Sequence, residues 1–388
     1  MDADVLIVGG GPVGLYLGAA LLQAGVRVRI LEQRQFRNRH TRAIGVHPPA
    51  LQALDRVQVA SAMVREGVQI RRGRAVSGGT TVGSMSFDEV SKEYPFVLAL
   101  PQFRTEQLLE ERVRTLDPEA LVRGGAVTGI KDDGGRVTLA VQTCGNTAHR
   151  TCHATAPFLV AADGARSKLR DALGVGTSGR TYPDHYLMGD FADGSGYGDE
   201  AVLFLEPAGI VESFPLPGGI RRWVVRLGRP ATGAGPEDLA ALVLHRTGIR
   251  PDPATNSMLS AFSVQSTLAR HIVAGRSVLL GDAAHEISPI GGQGMNLGWL
   301  DGQALAPVLL SALHGRSGPA EFGRFQKDRR RAAVLARRQA EINMMLGRPL
   351  PPALQRIRTA AIGAAASRPA VNGWVARRFT MAWDAPGA

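Results

Sequence analysis

Residues 4–32 constrain the fold more than any other stretch of the chain. Asp4-Val-Leu-Ile-Val8 reads as a short apolar strand running into Gly9-Gly-Gly-Pro-Val-Gly14. Leu15 to Ala24 then reads as a helix, and Val26 to Leu31 as a second, β-branched strand ending on Glu32. Strand, Gly9-x-Gly11-x-x-Gly14, helix, strand and acid, in that order, make the fingerprint of a dinucleotide-binding βαβ unit. Gly9 permits the tight turn, Gly11 lets a pyrophosphate reach the backbone, and Gly14 lets helix and strand pack closely. The helix N-terminus adds unpaired N–H groups and the positive end of a dipole. Glu32 accepts hydrogen bonds from a ribose and repels a 2′-phosphate, which favours FAD or NAD over NADP at this position. Val13 and Gln33 flank these residues and join the candidate site.

The rest of the composition sets bounds. A chain of 388 residues is long enough for two or three domain-sized units. With 44% hydrophobic and 20% charged residues it has the make-up of a soluble globular protein. The start lacks a basic n-region and the apolar run from Val5 is soon broken by glycine, so neither a signal peptide nor a stable membrane span is expected, and a cytoplasmic location is. The net charge of +11 raises the question of nucleic acid. The basic residues, nearly all arginine, are spread along the chain without interleaved aromatics, so no nucleic-acid partner is expected. Cys144 and Cys152 are too few for a disulfide scaffold or a metal site, and no His/Cys/Asp cluster suggests a metal.

Along the chain, Pro48-Pro49 opens a helix, and the Gly/Ser-rich interval 67–86 reads as strands joined by turns. Thr105 is a candidate cap for a helix that follows Leu98-Ala-Leu-Pro. Residues 122–141 alternate around Asp132-Asp-Gly-Gly135, a hairpin signal, and this hairpin carries Val127. Short β-like segments fill 182–264, with one helical stretch near Pro236 to His245, and predict a second unit on an antiparallel sheet. Residues 354–380 form an amphipathic pattern, read as a helix packed on its own domain in preference to a membrane-surface helix.

Two further segments repeat the logic of the first. Pro157 to Ala162 is an apolar run ending in Asp163-Gly-Ala-Arg-Ser-Lys-Leu-Arg170. Arg276 to Leu280 leads into Gly281-Asp282-Ala-Ala-His285 and then Pro289-Ile-Gly-Gly-Gln-Gly-Met-Asn296. Each presents glycine with an acid or amides after a strand, where open α/β sheets bind ligands. His285 is assigned a structural hydrogen bond, because a catalytic base must also reach its proton. No Gly-x-Ser-x-Gly elbow suggests a hydrolase.

These three segments, together with Leu100-Pro-Gln-Phe-Arg-Thr-Glu-Gln-Leu-Leu109, resemble the class A FAD-dependent aromatic hydroxylases of the p-hydroxybenzoate hydroxylase type, including the polyketide and rifampicin-type monooxygenases. The Gly281-to-Asn296 string is the most discriminating piece. The resemblance implies an α/β fold: a Rossmann-like FAD-binding domain (1–72, 96–176, 268–345), a β-sheet substrate domain (73–95, 177–267) and a C-terminal helical segment (346–388). It implies that Glu32 holds the adenosine ribose, Arg42 lies near the pyrophosphate and Gln102 contacts the flavin side. Asp163 and Arg166 fall in a segment that meets both FAD and NAD(P)H, and Asp282 meets the ribityl or pyrophosphate region. Gly294, Met295 and Asn296 bring amides to the flavin ring, and Pro289, Gly291 and Gly292 leave room beside it. A helix starting near Met295 would set its positive end against the negative charge of reduced flavin.

The implied activity is hydroxylation of a phenolic or polyketide-like aromatic with NADH or NADPH and O2, through a flavin C4a-hydroperoxide. His47, Phe204, Phe214 and Trp223 are candidates for the substrate pocket. The flavin carries the hard chemistry, so no catalytic residue is expected to stand out. Larger members carry a thioredoxin-like C-terminal domain for which this chain has no room, and the oligomeric state stays open. Gly302 replaces a common alanine. A flavin halogenase would carry a Trp-x-Trp-x-Ile-Pro motif, absent around Trp223, Trp299, Trp374 and Trp383. A flavin dehydrogenase or reductase, and a non-catalytic binder of aromatics, are the remaining alternatives.

Overall fold

The computed structural model describes residues 2–37, 43–144 and 149–384; Arg42 lies outside them. Its centre is a six-stranded sheet in the order Val273–Ala274, Ser277–Leu279, Phe158–Ala161, Val5–Val8, Val28–Glu32, Leu121–Arg123. All neighbours are parallel except the first pair. A parallel sheet is covered on both faces, which is why Val5–Val8 and Phe158–Ala161 are apolar throughout and fully buried. Helix Pro12–Gln23 covers one face, with helices Gln102–Leu116 and Gln293–Leu313 packed on it. An antiparallel sheet of Gly125–Asp132, Val137–Cys144 and His149–Ala156 adds Val137, Leu139, Val141, Ala154 and Ala156 to the same core.

Backbone contacts set how closely these layers meet. A Cβ on Gly14 would lie 2.0 Å from the Gly9 carbonyl oxygen, and Gly9, at φ +112°, would place one 2.1 Å from that of Ala162. The departure at Gly302 has a similar reason. Tyr16 is buried, and a methyl on Gly302 would come within 2.9 Å of its ring. The Trp299 indole N–H donates to the Pro12 carbonyl at 3.0 Å, fixing the two helices in register.

The second sheet has eight strands, in the order His285–Glu286, Met258–Ala269, Thr177–Ala192, Ile220–Leu227, Val211–Leu216, Ala201–Phe204, Arg72–Ser77, Thr80–Ser86. It is antiparallel except where Ala201–Phe204 runs alongside Arg72–Ser77. Helix Pro236–Thr247 seals one face. The amphipathic C-terminal stretch forms helices Pro352–Ala366 and Pro369–Phe379, packed on the edge strand Thr80–Ser86. There Asn372 donates to the Ser84 carbonyl (2.7 Å) and Gln355 to that of Leu205 (2.6 Å). Among the described residues no helix is long and apolar enough to cross a membrane.

Two local expectations are corrected. The helix after Leu100 starts at Gln102 with Pro101 as its cap, so Thr105 sits buried inside the first turn and caps nothing. The last glycine-rich loop enters its helix at Gln293, two residues before Met295, because Gly292 adopts φ +68° at the cap. The helix contact yields a test. Gly302→Ala should cost about 1–3 kcal/mol in denaturant unfolding, since a fixed ring must move. The loss should shrink when Tyr16→Leu is introduced first, read as a double-mutant cycle.

Candidate functional site

The register of the parallel sheet brings the three glycine segments to one level. Val8 pairs with Ala161 and Leu31, and Ala161 with Leu279. Gly9, Glu32, Asp163 and Asp282 therefore follow side by side at the carboxyl ends of their strands, the position where such sheets bind ligands. They line one cavity of about 1090 Å³, larger than the roughly 300–1,000 Å³ of most ligand clefts. It runs from the parallel sheet to the inner face of the eight-stranded one and has room for a cofactor and a second molecule.

At the first end, Glu32 is buried, with one oxygen taking the Gly10 amide (2.8 Å) and the other that of Arg34 (2.8 Å). Burial pushes its carboxyl up, but the bonds from Arg34 and Gly10 outweigh this and hold it below its ordinary value. Gln33 and Val127 line the same end. Glu106, bonded to Gln102 at 2.7 Å, is pushed up by burial. Asp163 accepts from Ser167 (2.5 Å) and from the Leu169 amide (3.2 Å), so it shapes its own turn, while Arg166 extends beside it into the cavity mouth. Asp282 is exposed along the cavity, and desolvation by the residues crowded around it pushes its carboxyl up to about 6. A Cβ on Gly294 would lie 4.0 Å from Asp282 Oδ1, so this acid adjoins the start of helix Gln293–Leu313.

That helix start forms the middle of the cavity. Pro289, Gly292, Gly294 and Met295 line it, and the first N–H groups of a helix have no intrahelical acceptor. Asn296 adds a structural role for its side chain. It is fully buried and does not line the cavity: its side chain accepts from the His47 amide (2.8 Å) and donates to the carbonyls of Gly45 (2.9 Å) and Gly292 (2.6 Å). It ties strand Gly45–Val46 to the loop. His47 does line the cavity, and burial pushes it down to about 4, so it is neutral. His285 lies behind the wall, bonded to Asp301, which Arg329 also engages at 2.5 Å.

On the second sheet, alternation decides which side chains reach the cavity. Phe214 does, together with Glu212, Val224, Leu203 and Met188. Phe204 and Trp223 do not. They stack on each other (6.0 Å between centroids) in the core beneath helix Pro236–Thr247. Both are one residue out of phase with the cavity face: Leu203 and Arg222 or Val224 are the lining neighbours, and a shift of one reverses a strand's faces. Glu212, the buried Arg222–Asp190 pair (2.6 and 2.8 Å), and the C-terminal helices, which roof this half with Ala361, Ile362, Val375 and Phe379, were not anticipated. The acid inside the apolar run Ile210-Val-Glu-Ser-Phe214 was the available signal for Glu212. Among the described residues no group of His, Cys, Asp or Glu is arranged to hold a metal.

The donor set suits FAD: acceptors at the ribose end, amides at two helix starts, and a long cavity between. Gly11 is the sharpest indication, because a Cβ there would meet no protein atom within 4 Å and would point into open space. Gly11→Val should therefore leave the apoprotein folded but weaken FAD binding by roughly tenfold or more, as a lost pyrophosphate approach demands. Gly14→Val should fail to fold. Denaturant unfolding and FAD titration separate the two.

Comparison with known proteins agrees with this geometry. A family model described as "FAD binding domain" matches residues 2–340. The chain is 33% identical to 6-methylpretetramide 4-monooxygenase of Streptomyces rimosus over 81% of its length, and spans 57% of that protein. It is 30% identical to rifampicin monooxygenase of Streptomyces venezuelae, over 91% of this chain and 74% of the relative. The crystal structure of p-nitrophenol 4-monooxygenase from Pseudomonas putida superposes with a TM-score of 0.88 at 25% identity, covering 98% of both chains. With its three glycine segments on one cavity, the chain belongs to the FAD-binding-domain family of p-hydroxybenzoate hydroxylase-like flavoproteins.

Proposed function

We propose that this protein is an FAD-dependent monooxygenase that uses NADH or NADPH and O2 to hydroxylate a phenolic or polyketide-like aromatic compound. The observation that carries the reading is the continuity of the cavity from the strand ends of the parallel sheet to the apolar face of the eight-stranded sheet. The relatives named above are monooxygenases of a pretetramide, rifampicin and p-nitrophenol, which supports an aromatic substrate. Residues 1–72, 96–176 and 268–345 hold the cofactor, and 73–95 with 177–267 form the substrate side.

When bound and reduced by NAD(P)H, FAD would activate O2, one atom of which goes to the substrate while the other leaves as water. The chain's own groups bind, orient and exclude water. Glu32, Gly11 and the first turn of helix Pro12–Gln23 hold the adenosine and pyrophosphate. The loop Pro289–Met295 and the opening turn of helix Gln293–Leu313 set unpaired amides where a negatively charged ring is stabilised. Phe214, Met188 and Val224 with the roof of Ile362, Val375 and Phe379 form an apolar wall that excludes water from the substrate side. His47, neutral and buried, stands between the two halves.

The purified FAD-loaded protein should oxidise NADH or NADPH faster when phenols or polyketides are present. Mass spectrometry with labelled O2 should find one oxygen from it in the product. Oxidation of NAD(P)H without oxygen transfer to any aromatic would favour the reductase alternative and sink this reading.

A further inference from the structure

We infer that Glu212 is the substrate's anchor: its carboxylate accepts a hydrogen bond from a hydroxyl or amine on the aromatic ring, so the enzyme takes uncharged aromatics bearing such a donor in preference to ring carboxylates. This rests on the monooxygenase reading above and names its substrate class.

Glu212 is the second residue of strand Val211–Leu216, with Leu203 opposite it on one neighbouring strand and Val224 on the other. It is 7% exposed, and what it faces is the cavity. Val224 in turn packs in one cluster with Met188 and with Ile290 of the glycine-rich loop. Ile290, Val224 and Glu212 all line the cavity, so the carboxyl group shares that wall with the glycine-rich loop.

The chain leaves this acid without a mate. Among the described residues no hydrogen bond or ion pair reaches the Glu212 carboxylate, and a buried charge without a partner is costly. Two of the cations on this side of the cavity are paired with other acids: Arg74 bonds Glu200 at 2.8 Å and Arg222 bonds Asp190. Arg358 is held by the carbonyls of Leu346 (2.7 Å) and Arg348 (2.9 Å), and among the described residues no acid pairs with it. The Tyr186 hydroxyl shares the neighbourhood, and beyond it Arg226 and Arg348 are both bound to Asp184, at 2.8 and 2.6 Å. A ring carboxylate placed against Glu212 meets a like charge, with Arg74 and Arg222 already paired. A phenol or aniline finds an acceptor.

Burial pushes the Glu212 carboxyl up to about 7. Near neutrality it therefore gains and loses its proton easily. A carboxylate of that proton affinity, hydrogen-bonded to a phenol, draws the O–H proton toward itself and leaves more electron density on the ring. That assists transfer of an electrophilic oxygen.

The test titrates the FAD-loaded protein with 2-naphthol, 2-methoxynaphthalene and 2-naphthoate, following the flavin absorbance. In the wild type, naphthol should bind roughly tenfold or more tightly than the ether, and naphthoate more weakly still. Glu212→Leu should weaken naphthol by roughly 10- to 100-fold and move the ether by less than about threefold, with FAD content unchanged. Naphthol affinity should fall from pH 8 to pH 6 in the wild type, as the carboxylate takes up a proton, and stay flat in Glu212→Gln. A preference for naphthoate, or a Glu212→Leu variant that binds naphthol as the wild type does, overturns the anchor while leaving the monooxygenase reading intact. So does a wild type blind to all three ligands whose NAD(P)H oxidation other aromatics stimulate. If no aromatic stimulates that oxidation, both readings fall together.

Discussion

The structure depends on how closely three strand ends approach one another around Gly9. The Ala162 carbonyl occupies the space where a Gly9 side chain would be, and the Gly9 carbonyl occupies that of Gly14. Removing two side chains lets the ends of strands Val5–Val8 and Phe158–Ala161 close together and helix Pro12–Gln23 settle onto Val5–Val8 and Val28–Glu32. Gly11, between them, serves no packing at all. Its emptiness is a property of the cavity and not of the core, which separates the glycines that build the fold from the one that leaves room for the ligand.

The same contrast separates what was legible in the sequence from what was not. The parallel sheet was readable because Val5–Val8 runs into a glycine-rich turn and the apolar runs Pro157–Ala162 and Val278–Leu280 each lead into glycine with an acid, a pattern short-range enough to survive without coordinates. The second sheet was readable as a sheet, but not in its phase. Phe204 and Trp223 are the large aromatics of their strands, and size drew them to the pocket; they are large because they fill the core under helix Pro236–Thr247. Leu203, Glu212 and Val224 reach the cavity because pairing places them on one face, and pairing between distant strands is not encoded locally. The roof is a further case. The pattern in residues 354–380 indicated an amphipathic helix, whereas which surface it covers depends on Gly83 and Gly363 in the contact with strand Thr80–Ser86.

Behind the cavity, a buried ionic network holds the wall. Asp301, in the helix that starts at Gln293, accepts from His285 and from Arg329, and Arg329 also binds Asp384 near the chain's end at 2.7 and 2.9 Å. Burial pushes Asp301 up, but Arg329 and His285 outweigh it and keep it ionised. Burying an ion pair returns little net stability, yet breaking one leaves an uncompensated charge, so such a network specifies one arrangement more than it strengthens it. Here it fixes the helix, the Gly281–His285 turn and the last helical segment as a unit. Asn296 performs the corresponding task on the cavity side, joining Gly45, His47 and Gly292. The residues nearest the suspected chemistry are therefore held from two sides, and a loop containing Gly291, Gly292 and Gly294 keeps one shape.

Charge completes the argument. The acids at the ends of the parallel strands have partners or amides: Glu32 with Arg34 and Gly10, Asp163 with Ser167 and Leu169. On the sheet side Asp190 neutralises Arg222, Asp184 takes two arginines, and Glu200 takes Arg74. Against that thorough pairing, the two carboxyls that desolvation raises furthest, Asp282 at about 6 and Glu212 at about 7, both border the cavity. A buried carboxyl such as Glu212 is tolerated only where something else satisfies it. Asp282 stands beside the helix start, in reach of a cofactor; Glu212 stands on the opposite wall, in reach of whatever lies against it. On the reading proposed above, Asp282 would face the hydroxyls of the cofactor and Glu212 a donor on a flat apolar substrate.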